Sequence, residues 1–123
     1  MMRLWIVFAA LNGLCAVALG AWASHGMESL PAAAELMKTG VQYQMWHALA
    51  LIGVAWLSDD PGVPKGIIGT AGFCFLIGIL LFCGSLYATA TQGVALFPMS
   101  APAGGILLMA GWVVFGIAGL TRR

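Results

Sequence analysis

Two histidines, His25 and His47, are the side chains here best suited to ligation or proton transfer near neutral pH. His47 follows Tyr43 by four residues and Gln44 by three, so on a helix the three share nearly one face. Such a group, with His25 as a second ligand, could grip a small molecule, a quinone head group, a haem or a metal. Two histidines without carboxylate or cysteine support make a weak metal set, however. A satisfied structural histidine is the plainer reading of His47. Other polar side chains gather in one region, Ser85, Tyr87, Thr89 and Thr91, while Asn12 and Thr70 stand apart. The cysteines Cys15, Cys74 and Cys83 are odd in number and lie in apolar runs. A spacing of nine residues puts Cys74 and Cys83 on opposite helix faces at about 100° per residue. No nucleophile–base pair, phosphate loop or working carboxylate pair stands in a plausible place, and Asp59-Asp60 reads as a solvated turn. The expectation is a protein that is not an enzyme and carries no cofactor.

What must position these groups follows from composition. Of 123 residues, 62% are hydrophobic and 7% charged, and mean hydropathy is +1.00. A soluble domain runs near half apolar and a quarter charged, so the natural solvent of most of this surface is lipid. A soluble enzyme, a secreted disulfide scaffold and a disordered chain are excluded. A net charge of +1 offers no field for nucleic acid.

A membrane crossing needs about 20 apolar residues. Uncharged stretches of that order cover about residues 4–24, 41–57, 66–89 and 101–120. They predict an all-α fold: one membrane domain, residues 1–123, built as a four-transmembrane-helix bundle. No Asp, Glu, Lys or Arg lies in these stretches, so an ion path through one copy is disfavoured. The first run is too long for an ordinary signal-peptide core and is kept as a span.

The run Ser58-Asp59-Asp60-Pro61-Gly62-Val63-Pro64-Lys65 is a turn by composition. Residues 92–100 carry no charge, which places them at the interface or under a cover of protein. Pro31 suits the first turn of a helix and the following alanines favour one, so about 31–40 is an outward helical segment. It is either a separate interfacial helix or, the favoured reading, an extension of the second span, with Gly40 weakening the join. One end of the bundle holds Arg3, Lys65, Arg122 and Arg123, the other only Lys38, so both termini are expected in the cytoplasm.

Close approach at small residues must replace the hydrophobic effect between helices in lipid. Gly13, Gly20, Gly84, Gly104 and Gly105 are expected at helix contacts, and Asn12 in an interhelical hydrogen bond. Trp5, Trp22, Trp46, Trp56 and Trp112 read mostly as interfacial belts.

Gly20-Ala21-Trp22-Ala23-Ser24-His25-Gly26 and Gln42-Tyr43-Gln44-Met45-Trp46-His47-Ala48-Leu49-Ala50-Leu51 resemble two elements of a small membrane family. Gly84-Ser85-Leu86-Tyr87 and Pro102-Ala103-Gly104-Gly105 with Gly111-Trp112 resemble two more. The family is that of transmembrane protein 256, or domain of unknown function 423, and Ser24 replaces its usual alanine. The resemblance implies a four-helix protein of bacterial inner (plasma) membranes, with mitochondrial relatives. It implies no activity, and it adds weight to His25, Gln44 and His47.

The leading expectation is an accessory or assembly subunit of a larger membrane complex, with the lipid bilayer and other subunits or further copies as partners. The alternatives are an outward-facing pocket binding a quinone, haem or metal through His25 and His47, and a small transporter or channel formed by oligomerisation.

Overall fold

Pro31 opens a helix that does not stop at Gly40. In the computed structural model, which describes residues 1–123, the chain forms α1 (Met2–Gly26), α2 (Pro31–Ser58), α3 (Lys65–Gln92) and α4 (Ser100–Leu120). The outward segment is thus the first turns of α2, as favoured. Proline suits that opening position because its missing N–H would have had no partner there. At the other end of α3, Gly93 takes φ +80° and its N–H bonds to the Thr89 carbonyl, closing the helix in the left-handed form glycine tolerates. Residues 92–99 are exposed, so no other part of the chain covers this loop.

Three helices, α1, α3 and α4, are long and apolar enough to cross a membrane. α2 is not among them, because Glu35, Lys38, Gln42, Gln44 and His47 dilute its hydropathy. It is nonetheless central: α1 packs on α2, α2 on α3 and α3 on α4. Their shared core runs through Trp5, Leu51, Val54, Ile68, Phe75 and Ile79, all at most 2% exposed. Leucines such as Leu14, Leu80 and Leu120 point outward at 67%, 67% and 87% exposure, as lipid-facing side chains do.

The closest helix contact is made by Gly104, where a Cβ would lie 2.8 Å from the Phe82 Cα and collide with its backbone nitrogen. Gly105 is looser, facing the Phe82 ring at 3.7 Å. Gly20 makes room for Val41 at 3.3 Å, and Gly84 for Leu96 at 3.2 Å. Gly13 departs from expectation, since nothing lies within 4 Å of where its side chain would be. It lines an open seam instead of a contact. Other glycines act as sockets for large side chains: Gly72 receives Trp5, Gly78 receives Leu108 and Gly111 receives Phe75.

The C-terminal end meets the α2–α3 turn, and the N-terminal end meets the start of α3. Arg122 pairs with Asp60 at 2.6 Å, the Arg123 N–H donates to the Gly62 carbonyl at 3.0 Å, and Lys65 donates to the carbonyls of Ser58 and Asp60. The Met1 methyl reaches α3 beside Gly69. Arg3, Lys65, Arg122 and Arg123 therefore share one end of the bundle, with Lys38 at the other.

Candidate functional site

Neutral amides and a phenol join three helices. The Tyr87 hydroxyl on α3 donates to Gln44 Oε1 on α2 at 2.8 Å. Gln44 Nε2 donates in turn to Asn12 Oδ1 on α1 at 3.0 Å, and Asn12 Nδ2 donates to the Phe8 carbonyl at 2.8 Å. Every donor in the relay points the same way, from α3 to α1. Gly40 is part of its construction: a side chain there would run into the Tyr87 ring, 3.1 Å from its Cδ1. The sequence reading of Gly40 as a weak joint therefore gives way to a socket. A cleft of about 220 Å³ between α1 and α3 borders the relay, lined among others by Asn12, Gln44, Tyr87, Cys15 and Cys83.

His47 belongs to a second junction. Its Nδ1 lies 2.6 Å from the Tyr43 carbonyl, an acceptor, so Nδ1 carries the proton. Nε2 is then an acceptor and receives the Trp112 indole N–H from α4 at 3.0 Å. The ring is packed among Phe75 at 5.6 Å, Trp112 at 5.7 Å and Tyr43 at 6.3 Å, centroid to centroid. Both nitrogens of the neutral imidazole are thus engaged within the protein. A third junction is the bond from Ser100 Oγ to Ser85 Oγ, 2.9 Å, between α4 and α3, with both residues at most 1% exposed.

Tyr43, Gln44 and His47 come together as one turn of α2, but His25 does not join them. It is exposed in the last turn of α1. The Gly20–Val41 contact sets the antiparallel register, which places His25 opposite the first turns of α2. From there to His47 is about eleven residues, or roughly 16 Å along the helix. No group of three or more His, Cys, Asp or Glu side chains could hold a metal ion.

Trp112 and Trp5 correct the interfacial reading of the tryptophans. Trp112 is the hydrogen-bond partner of His47, while Trp5 is 0% exposed, seated at Gly72 with its ring 5.1 Å from Phe73. The Trp5 indole N–H is the one buried side-chain polar atom without a partner. Trp22, Trp46 and Trp56 are exposed. Ser100 and Trp112 were not legible as site residues. Trp112 lies near the middle of the 101–120 stretch, and that one available signal, a polar-edged aromatic in an otherwise apolar span, does not name its partner.

Long apolar helices, cross-linked by uncharged hydrogen bonds and glycine sockets, define a small multi-pass membrane protein. The model of the family described as protein of unknown function (DUF423) matches residues 19–105, and the chain belongs to that family. It is 38% identical to the UPF0382 membrane protein YwdK of Bacillus subtilis, over 95% of this chain and 96% of the relative. It is also 38% identical to a UPF0382 membrane protein of Haemophilus influenzae, over 89% and 87% of the two chains. With the UPF0382 inner membrane protein YgdD of Escherichia coli it shares 32% identity over 98% and 92%. No solved structure matches the chain.

Proposed function

We propose that this protein is a non-enzymatic accessory or assembly subunit, whose work is done by the outer surface of its bundle and not by its interior. One observation carries the reading. The interior polar groups that could bind or react, Asn12, Gln44, His47, Ser85, Tyr87, Ser100 and Trp112, already bond to one another across helices. An interior spent on holding helices together has little left for turnover. The pocket reading through His25 and His47 draws no support from a ring whose two nitrogens are engaged and a partner some turns away.

In this reading α2 is the fourth crossing, lying between α1 and α3 with Gln44 turned to both and His47 to α4, and both termini face the cytoplasm. Four of the five Lys and Arg residues gather at the terminal end, in line with positive charge staying inside. Extraction in a mild detergent followed by native mass spectrometry tests the accessory role. A stoichiometric complex with a different membrane subunit is expected. A population of monomer or homo-oligomer alone, from membranes where the protein is at its natural level, would overturn it.

A further inference from the structure

Along the α1–α2 pair, on the face where Gly13 lies open, runs a seam made of two adjoining hollows. The upper hollow, about 330 Å³, lies among Gly20 and Ser24 of α1 and Lys38, Val41 and Gln42 of α2. The lower one, about 480 Å³, is almost wholly apolar and runs past Gly13 and Val17 on α1 to Met45 and Ile52 on α2. The lining positions on α2, 38, 41, 45, 48 or 49 and 52, recur every three or four residues, so the hollows follow one helix face. We propose that this seam is a binding site for one anionic phospholipid, with its phosphate at Lys38 and Gln42 and an acyl chain laid down the groove past Gly13.

Charge, polarity and length agree on that occupant. Lys38 is the only Lys or Arg at its end of the bundle and has no carboxylate partner, the single ion pair of the protein being Arg122–Asp60. Glu28 and Glu35 share that end but are exposed and do not line the hollow, so the charge facing it is that of Lys38. Its ammonium and the exposed Gln42 amide therefore stand free at the polar mouth, where a phosphate would need donors. Below them the wall turns apolar, as a lipid does below its head group. From Lys38 to Leu49, at the middle of the 41–57 stretch, is about 16 Å along the helix, close to the hydrocarbon depth of about 15 Å of one leaflet, and the groove continues past it to Ile52. Gly13 deepens the floor at mid-groove, because an empty space of more than 4 Å stands where any other residue would project.

The test uses the full chain in mild detergent, titrated separately with phosphatidylglycerol and phosphatidylcholine, with bound lipid read by native mass spectrometry. Phosphatidylglycerol is expected to be retained about five-fold better, the effect of one lysine on an anionic head group. Lys38→Gln should abolish that preference while leaving common acyl binding. Gly13→Leu should fill the groove and lower retention of both lipids, and it should fold normally because its Cβ enters open space, with nothing within 4 Å. Equal retention of the two lipids by the unmodified protein, or unchanged retention in both variants, would overturn the proposal. Retention that survives Gly13→Leu while a stoichiometric protein subunit is lost would also overturn it. That last outcome would assign the seam to a partner helix and leave the accessory reading standing.

Discussion

Replacing Gln44 by leucine should cost more than any other single polar substitution in the bundle, because Gln44 is the middle of the relay between α1, α2 and α3. The side chain is 7% exposed and both ends of its amide are used, Nε2 toward Asn12 and Oε1 toward Tyr87. Interhelical hydrogen bonds in lipid are worth about 0.6 kcal/mol on average and up to about 1.7. Losing two of them gives about 1–3 kcal/mol for Gln44→Leu, whose similar volume leaves no large cavity. Tyr87→Phe keeps the ring in its Gly40 socket and removes one bond, so about 0.6–1.7 kcal/mol is expected. The sharper quantity is the coupling between the two. Once leucine stands at 44 the phenol has nothing to donate to, and Tyr87→Phe should then cost almost nothing. Equilibrium unfolding in mixed micelles, run on the wild type, both single variants and the double, reads that coupling directly. Strictly additive costs would show that the 2.8 Å Tyr87–Gln44 bond contributes nothing and that the relay is not what joins α3 to α1.

Trp112→Phe keeps an aromatic ring against Phe75 but leaves His47 Nε2 without its donor, so a loss of about 0.6–1.7 kcal/mol is expected in the same assay. His25→Ala, at an exposed helix end, should change stability by no more than about 0.5 kcal/mol. Gly104→Ala drives a methyl into the backbone of Phe82 and should cost about 1–3 kcal/mol or more, whereas Gly13→Ala, facing open space, should stay within about 0.5. Alkaline phosphatase and fluorescent-protein fusions at the two ends should both report the cytoplasm. Ends in opposite compartments would mean that α2 does not cross.

Helix number and the main boundaries were legible because each depends on local chemistry. Proline at 31, the Pro61-Gly62 turn and the uncharged runs each act within a few residues. Even the charge asymmetry between the two ends is a property of sequence order. Partner choice is different in kind. That Trp112 should meet His47, or that Trp5 should leave the interface for Gly72, depends on how α4 and α1 are rotated against their neighbours. Rotation is weakly encoded in these helices, since apolar side chains point both to lipid and to protein and no hydrophobic face distinguishes them. The same ambiguity hid the roles of the glycines. Gly13 and Gly104 look alike in sequence, yet one faces open space and the other another helix's backbone.

A protein that cannot rely on water to press its helices together must use forces that act only at contact. Here those forces are divided by location. Where α3 meets α4, glycine brings backbones close enough for van der Waals attraction to work over a long contact. Around α2, the least apolar helix, the joints are hydrogen bonds: Gln44 to α1 and α3, and His47 to α4. Two of the residues that dilute the hydropathy of α2, Gln44 and His47, are therefore the ones that make it the hub. This division explains how a helix poor in the usual membrane signal can sit at the centre of the bundle. Gln44 and His47 are uncharged and have their polar atoms engaged, so burying them costs far less than burying a charge would. An α2 stripped of Gln44 and His47 would gain hydropathy and insert more readily as a lone segment. It would lose its side-chain hydrogen bonds to α1, α4 and Tyr87 of α3, and with them the rotation that places Lys38, Gln42 and Met45 along the open seam.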